Sequence, residues 1–97
     1  MDITDSAHKD LNDIVVYIAE TLYAPVAAAL FMDAVEKCYD NLKMQPFMYA
    51  AVNMPELAER SYRCAPVKNY LVLYKVDEAK RIVRIHRIFM GRWIILT

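Results

Sequence analysis

Hydrophobic and polar positions follow two different periods along this chain, and the period changes near residue 60. Over residues 5–22, Leu11, Ile14, Val15, Ile18 and Leu22 recur at helical spacing, while Lys9, Asp10, Asn12, Asp13 and Glu20 fill the opposite side. That stripe predicts an amphipathic helix. Thr4, Asp5 and Ser6 offer side-chain oxygens to the unpaired amides of its first turn. Pro25 fits the first turn of a second helix, where the N–H it lacks would have no partner. The pattern carries this helix over 25–42, with Ala27, Leu30, Phe31, Ala34, Val35, Cys38 and Leu42 on its apolar stripe. The link through Tyr23 and Ala24 is short, so the two helices form an antiparallel hairpin.

Residues 44–60 hold Pro46 and Pro55 and show no clean period, which predicts a loop with a short helical turn near Glu56–Glu59. Beyond it the residues turn β-branched and aromatic. Strands are predicted at 61–67, 70–76 and 81–88, joined by Lys68-Asn69 as a tight turn and by Asp77-Glu78-Ala79-Lys80 as a hairpin connection. In the last strand, Ile82, Arg84, His86 and Ile88 fall on one face, and Val83, Ile85 and Arg87 on the other. The expected architecture is one α+β domain over 1–97. An N-terminal antiparallel helical hairpin packs on one face of a three- to four-stranded antiparallel sheet, and the second face is arginine-rich.

Composition narrows the class. The 97 residues are 58% hydrophobic with one glycine and four prolines, which suits a single packed domain and excludes a disordered chain. With Gly91 alone, no glycine-rich phosphate loop can be written. Cys38 and Cys64 are too few for a disulfide scaffold, and neither has a cysteine or histidine at metal-ligand spacing. No cofactor site is visible. No apolar run approaches the roughly 20 residues of a membrane span, and the acidic start Met1-Asp2-Ile3-Thr4-Asp5 is unlike a signal peptide. The expected setting is the reducing cytoplasm, away from membranes.

The formal net charge is zero, but it is polarised. Residues 1–59 carry three basic and ten acidic side chains, a net −7, and residues 60–97 carry nine basic and two acidic, a net +7. Either the basic half meets a polyanion or an acidic protein segment, or the two halves neutralise each other across the fold. Six methionines, among them Met44, Met48 and Met54 around the loop, suggest adaptable packing or a contact surface.

Ile3-Thr-Asp-Ser-Ala7, Asp10-Leu11, Ile14 and Tyr17-Ile18 resemble the first helix of the RelE/ParE toxin superfamily, and Leu22-Tyr-Ala-Pro-Val-Ala-Ala28 resembles the second. The likeness is strongest at Tyr62-Arg63, Val67-Lys68-Asn69-Tyr70-Leu-Val-Leu-Tyr74, Val76-Asp77-Glu78, Ile82-Val83 and Ile85-His86-Arg87-Ile88. The order and spacing of these pieces make it specific. Relatives usually begin with a full strand ahead of Thr4, whereas here only Met1-Asp2-Ile3 precede it, so either the first strand is vestigial or the start has been lost, and a more exposed sheet edge is expected. The resemblance implies the toxin of a type II toxin–antitoxin module, of the plasmid-stabilisation or addiction kind, neutralised by a cognate protein antitoxin. One branch cleaves mRNA on the ribosome, and another inhibits DNA gyrase without hydrolytic chemistry.

RNA cleavage needs a group to activate the 2′-hydroxyl, a proton donor for the leaving oxygen and cations for the phosphorane. The resemblance puts basic residues of the cleaving branch at positions that here hold Leu71 and Ala65, and leaves only Arg92 from its basic C-terminal run. Arg63, His86 and Arg92 are the catalytic candidates, and Lys68, Arg84 and Arg87 the candidates for RNA or target binding. His86 is the only plausible titrating acid or base of the basic half, although between Ile85 and Arg87 in a strand such a histidine is more often an ordinary sheet residue. The arginines suit phosphates, an acidic antitoxin segment, or ion pairs with the helices. Tyr70, Tyr74 and Trp93 either stack on bases or pack in the core. Three readings stay open: a toxin acting on translation or DNA topology, an mRNA endoribonuclease with a non-standard basic set, and a degenerate toxin that only binds antitoxin.

Overall fold

The computed structural model describes residues 1–49, 56 and 59–90. Its elements are β1 (Asp2–Ile3), α1 (Asp5–Val16), α2 (Pro25–Met44), β2 (Arg63–Val67), β3 (Tyr70–Asp77) and β4 (Ile82–Met90). A π-helical turn, Tyr17–Thr21, extends α1 to the length the periodicity predicts. The strands form one sheet in the order β1-β4-β3-β2. β2, β3 and β4 are antiparallel as expected, but β1 runs parallel to β4, with Asp2 beside Arg84 and Ile3 beside Ile85. The sheet is therefore mixed rather than purely antiparallel, because β1 leads directly into α1 and must run alongside β4 to place it. The helical turn expected near Glu56–Glu59 lies mostly outside the described residues.

Thr4 fixes where α1 begins. Its hydroxyl caps the helix by accepting from the Ala7 N–H at 3.1 Å and donates to the His86 carbonyl at 2.9 Å. Its own N–H reaches the Ile85 carbonyl at 3.0 Å. One turn on, Asp10 accepts from the Ile88 N–H at 3.0 Å. The outer edge of β4, expected to be more exposed, is thus occupied first by β1 and then by side chains of Thr4 and Asp10, which satisfy backbone groups a missing strand would leave open.

The π-turn widens the end of the first helix, with the Leu22 N–H bonded to the Tyr17 carbonyl at 3.1 Å. Leu22, predicted on the buried stripe, is consequently 53% exposed. In α2 the buried face is Ala28, Phe31, Val35, Cys38 and Leu42. Leu30, assigned to the stripe by spacing, is exposed on its flank. These helix residues pack on Ala65, Val67, Val72, Tyr74, Val83, Ile85 and Ile88 of the sheet. Leu42, Val35, Val72, Tyr74 and Ile85 are the largest fully buried side chains, and each burial of this kind contributes about 1.5–3 kcal/mol. Tyr70 packs against Phe31 with ring centroids 5.1 Å apart, and Tyr74 donates its hydroxyl to the Pro46 carbonyl at 2.9 Å. Both tyrosines serve the core.

Candidate functional site

A β-bulge decides which side chains of β4 reach the sheet face turned away from the helices. Leu73 lies opposite Arg87 and Tyr74 opposite Ile85, so His86 is an extra residue without a partner on β3. The extra residue restores Ile88 to the core face with Val83 and Ile85, whereas strict alternation had grouped it with Arg84 and His86. A bulge of this kind re-aims side chains by two residues sharing one opposite number.

On the distal face, His86 meets Tyr62 edge-on, the rings 5.1 Å apart at 83°. The Lys75 ammonium lies 4.4 Å from the centroid of the same Tyr62 ring, a cation–π contact. Lys75 stands directly opposite Arg84 across β3 and β4. Arg60, Ser61, Lys75, Asp77, Arg84 and His86 line one cleft of about 360 Å³. Arg84 is also tied to Asp2 at 3.2 Å, both side chains about half exposed.

The electrostatics of His86 follow from this company. Burial pushes its pKa below the ordinary imidazole value, and the positive charges of Lys75 and Arg84 push it the same way. Both effects favour the neutral form of the ring. Its Nε2 is buried and has no hydrogen-bond partner among the described residues. Among the described residues no carboxylate is hydrogen-bonded to it.

The other candidates are dispersed. Arg63 pairs with Tyr74 in register, which puts it on the helix-facing side of the sheet, away from His86. There it donates to the Tyr49 carbonyl at 2.6 Å and lies 4.9 Å from the Phe47 ring centroid, pinning the segment that follows α2. Arg87 is engaged at the sheet edge, donating to both Asp10 oxygens at 2.6 and 3.0 Å. Lys68 sits in the β2–β3 turn with a left-handed backbone (φ 56°). It borders an apolar cleft of about 460 Å³ with Tyr17, Leu30, Tyr70 and Met90. Arg92 and Trp93 lie outside the described residues. Ala65 is fully buried in the core, and Leu71 is 5% exposed. Of the six site candidates, the structure brings together His86 and Arg84.

Lys75, Arg60 and Tyr62 complete the cluster, and the strand-by-strand reading did not single them out as a site. The signal for Lys75 lay in the hairpin register, which places it against Arg84. Among the described residues no three His, Cys, Asp or Glu side chains form a metal-binding group, and no helix is long and apolar enough to cross a membrane.

Comparison with known proteins returns a family model described as ParE toxin of type II toxin–antitoxin system, parDE, matching residues 1–93. A solved structure, the RelBE2 toxin–antitoxin complex from Mycobacterium tuberculosis, contains a chain of the same fold. It is 24% identical with a TM-score of 0.64, and the match covers 91% of each chain. No curated protein matches the sequence.

Proposed function

The chain belongs to the family of ParE toxins of type II toxin–antitoxin systems, and on that footing we propose that it arrests growth by binding its target rather than by cutting RNA. The process it blocks in this reading is DNA topology, with gyrase as the target, and a cognate protein antitoxin silences it. The observation that carries the reading is the setting of His86. Cleavage at a 2′-hydroxyl calls for a base and an acid of matched strength. His86 is the one lining residue of the cleft whose ordinary pKa lies near neutrality, its basicity is lowered by burial and by Lys75 and Arg84, and no described carboxylate holds its ring. Arg63, which could have stabilised a phosphorane, is bound to Tyr49 on the opposite face.

A second reading, the ribosome-dependent endoribonuclease, draws support from one feature: Arg60, Lys75 and Arg84 gather beside that imidazole. The two are separated by inducing the chain in growing bacteria with and without its antitoxin, then mapping mRNA ends. A binding toxin arrests growth, is rescued by antitoxin, leaves mRNA uncut at codon boundaries and stays toxic as His86→Gln. Codon-positioned cuts lost in His86→Gln would establish the nuclease. Normal growth on induction, with antitoxin still bound tightly, would mean a degenerate toxin.

A further inference from the structure

Like charges standing directly opposite on neighbouring strands destabilise a sheet, and this sheet holds such a pair, Lys75 and Arg84. Arg60 and His86 border the same cleft. The other arginines of known contacts are satisfied within the molecule: Arg63 by the Tyr49 carbonyl and Arg87 by Asp10. In the cleft, by contrast, three full positive charges face Asp77 and the half-exposed Asp2. The imidazole among them has an unpartnered buried nitrogen. Asp2 at 3.2 Å balances Arg84 in part, and the Tyr62 ring faces Lys75, yet the cleft keeps more positive than negative charge beside an orphaned polar atom, a setting in which a ligand can supply the missing charge.

We propose that the cleft between Lys75, Arg84, Arg60 and His86 binds a phosphate group of a nucleic-acid backbone. The oxygens of a phosphate accept from several donors at once, which matches two guanidinium groups, one ammonium and one imidazole N–H better than the two oxygens of a carboxylate. Ser61 adds a hydroxyl at the rim. Tyr62, already covered by Lys75 and met edge-on by His86, holds those two groups apart and in place. The cleft sits at the end of the strands near Asp77, whereas Leu71 and Ala65 lie further along them toward the β2–β3 turn. It is therefore a site separate from the positions where the cleaving branch carries its basic residues. The inference stands whether the chain meets DNA beside a topoisomerase or RNA on a ribosome, and it does not depend on toxicity.

The test follows the His86 ring by NMR while the purified chain is titrated with inorganic phosphate, then with single-stranded DNA and RNA oligonucleotides, and with a polyglutamate peptide. Saturable shifts are expected with phosphate and at least one oligonucleotide, together with a rise in the His86 midpoint as the anion stabilises the imidazolium. Lys75→Gln and Arg84→Gln should each weaken binding about tenfold. Lys9→Gln, the same charge change on α1, should leave it unchanged. Lys75→Gln removes both the repulsion from Arg84 and the contact with Tyr62, so the melting temperature of each variant is measured beside binding, and a variant folded at the assay temperature assigns its loss of binding to the site. No saturable shift with phosphate or either oligonucleotide, equal binding in all variants, or preference for polyglutamate would overturn the site.

Discussion

Removing the Asp10 carboxylate should unfasten α1 from the sheet edge. Asp10 receives three hydrogen bonds, two from Arg87 at 2.6 and 3.0 Å and one from the Ile88 N–H at 3.0 Å. Its side chain is 14% exposed, against 56% for Arg87. The Arg87 and Ile88 bonds differ in worth. Water and salt screen the guanidinium side, so that ion pair contributes about 0.5–1 kcal/mol. The partly buried N–H, once orphaned, costs about 1–2 kcal/mol. Asp10→Ala should therefore lose about 2 kcal/mol, lowering the melting temperature by about 10 °C in a chain of this size. Arg87→Gln, which leaves the Ile88 bond in place, should lose less than half of that. Thermal unfolding followed by circular dichroism reads both. If Arg87→Gln proves as damaging as Asp10→Ala, the edge-capping argument fails, because the loss would then belong to the exposed ion pair. The pH dependence gives a second check. Burial alone raises the Asp10 pKa, but the bonds from Arg87 and Ile88 and the charges of Arg87 and Lys9 outweigh it and hold it below 3.8. The unfolded chain then binds the proton more readily, so this contribution is fully present above pH 3.8 and fades as pH falls through the lower folded value.

Two further outcomes are expected. His86 should titrate below the ordinary imidazole value of 6.5. Stability linked to it is then complete above 6.5 and falls as pH drops beneath it, and Lys75→Gln should raise the midpoint by removing a repelling charge. A midpoint at or above 6.5 in wild type would contradict the placement of Lys75 and Arg84 around the ring. Tyr39 carries a buried hydroxyl without a described partner, so Tyr39→Phe should be neutral or stabilising by about 1 kcal/mol in chemical denaturation. A clear loss would show that the hydroxyl is bonded.

The elements were legible because their periods are long and clean: Phe31, Val35, Cys38 and Leu42 repeat at helical spacing and lie in the core. Two of the errors of face have local causes. The π-turn at Tyr17–Thr21 rotates Leu22 out to solvent, and the bulge at His86 inserts a residue that reverses the alternation for Ile88. Neither carries a sequence signature, since each depends on what the backbone meets across the fold. Arg63 was open to a better reading, because alternation places it with the apolar Ala65 and Val67 and so on the helix side. The cleft was half legible. Arg84 and His86 share a face at a spacing of two, whereas Lys75 joins them only through the register of a hairpin whose turn does not declare its pairing.

The proposed action of this toxin is binding rather than RNA cleavage. Its most direct test is a gyrase supercoiling assay with the purified chain, with and without antitoxin, run beside cell-free translation. Inhibited supercoiling that antitoxin restores, with mRNA intact, is the expected result. Undisturbed supercoiling together with codon-positioned mRNA cleavage would contradict it.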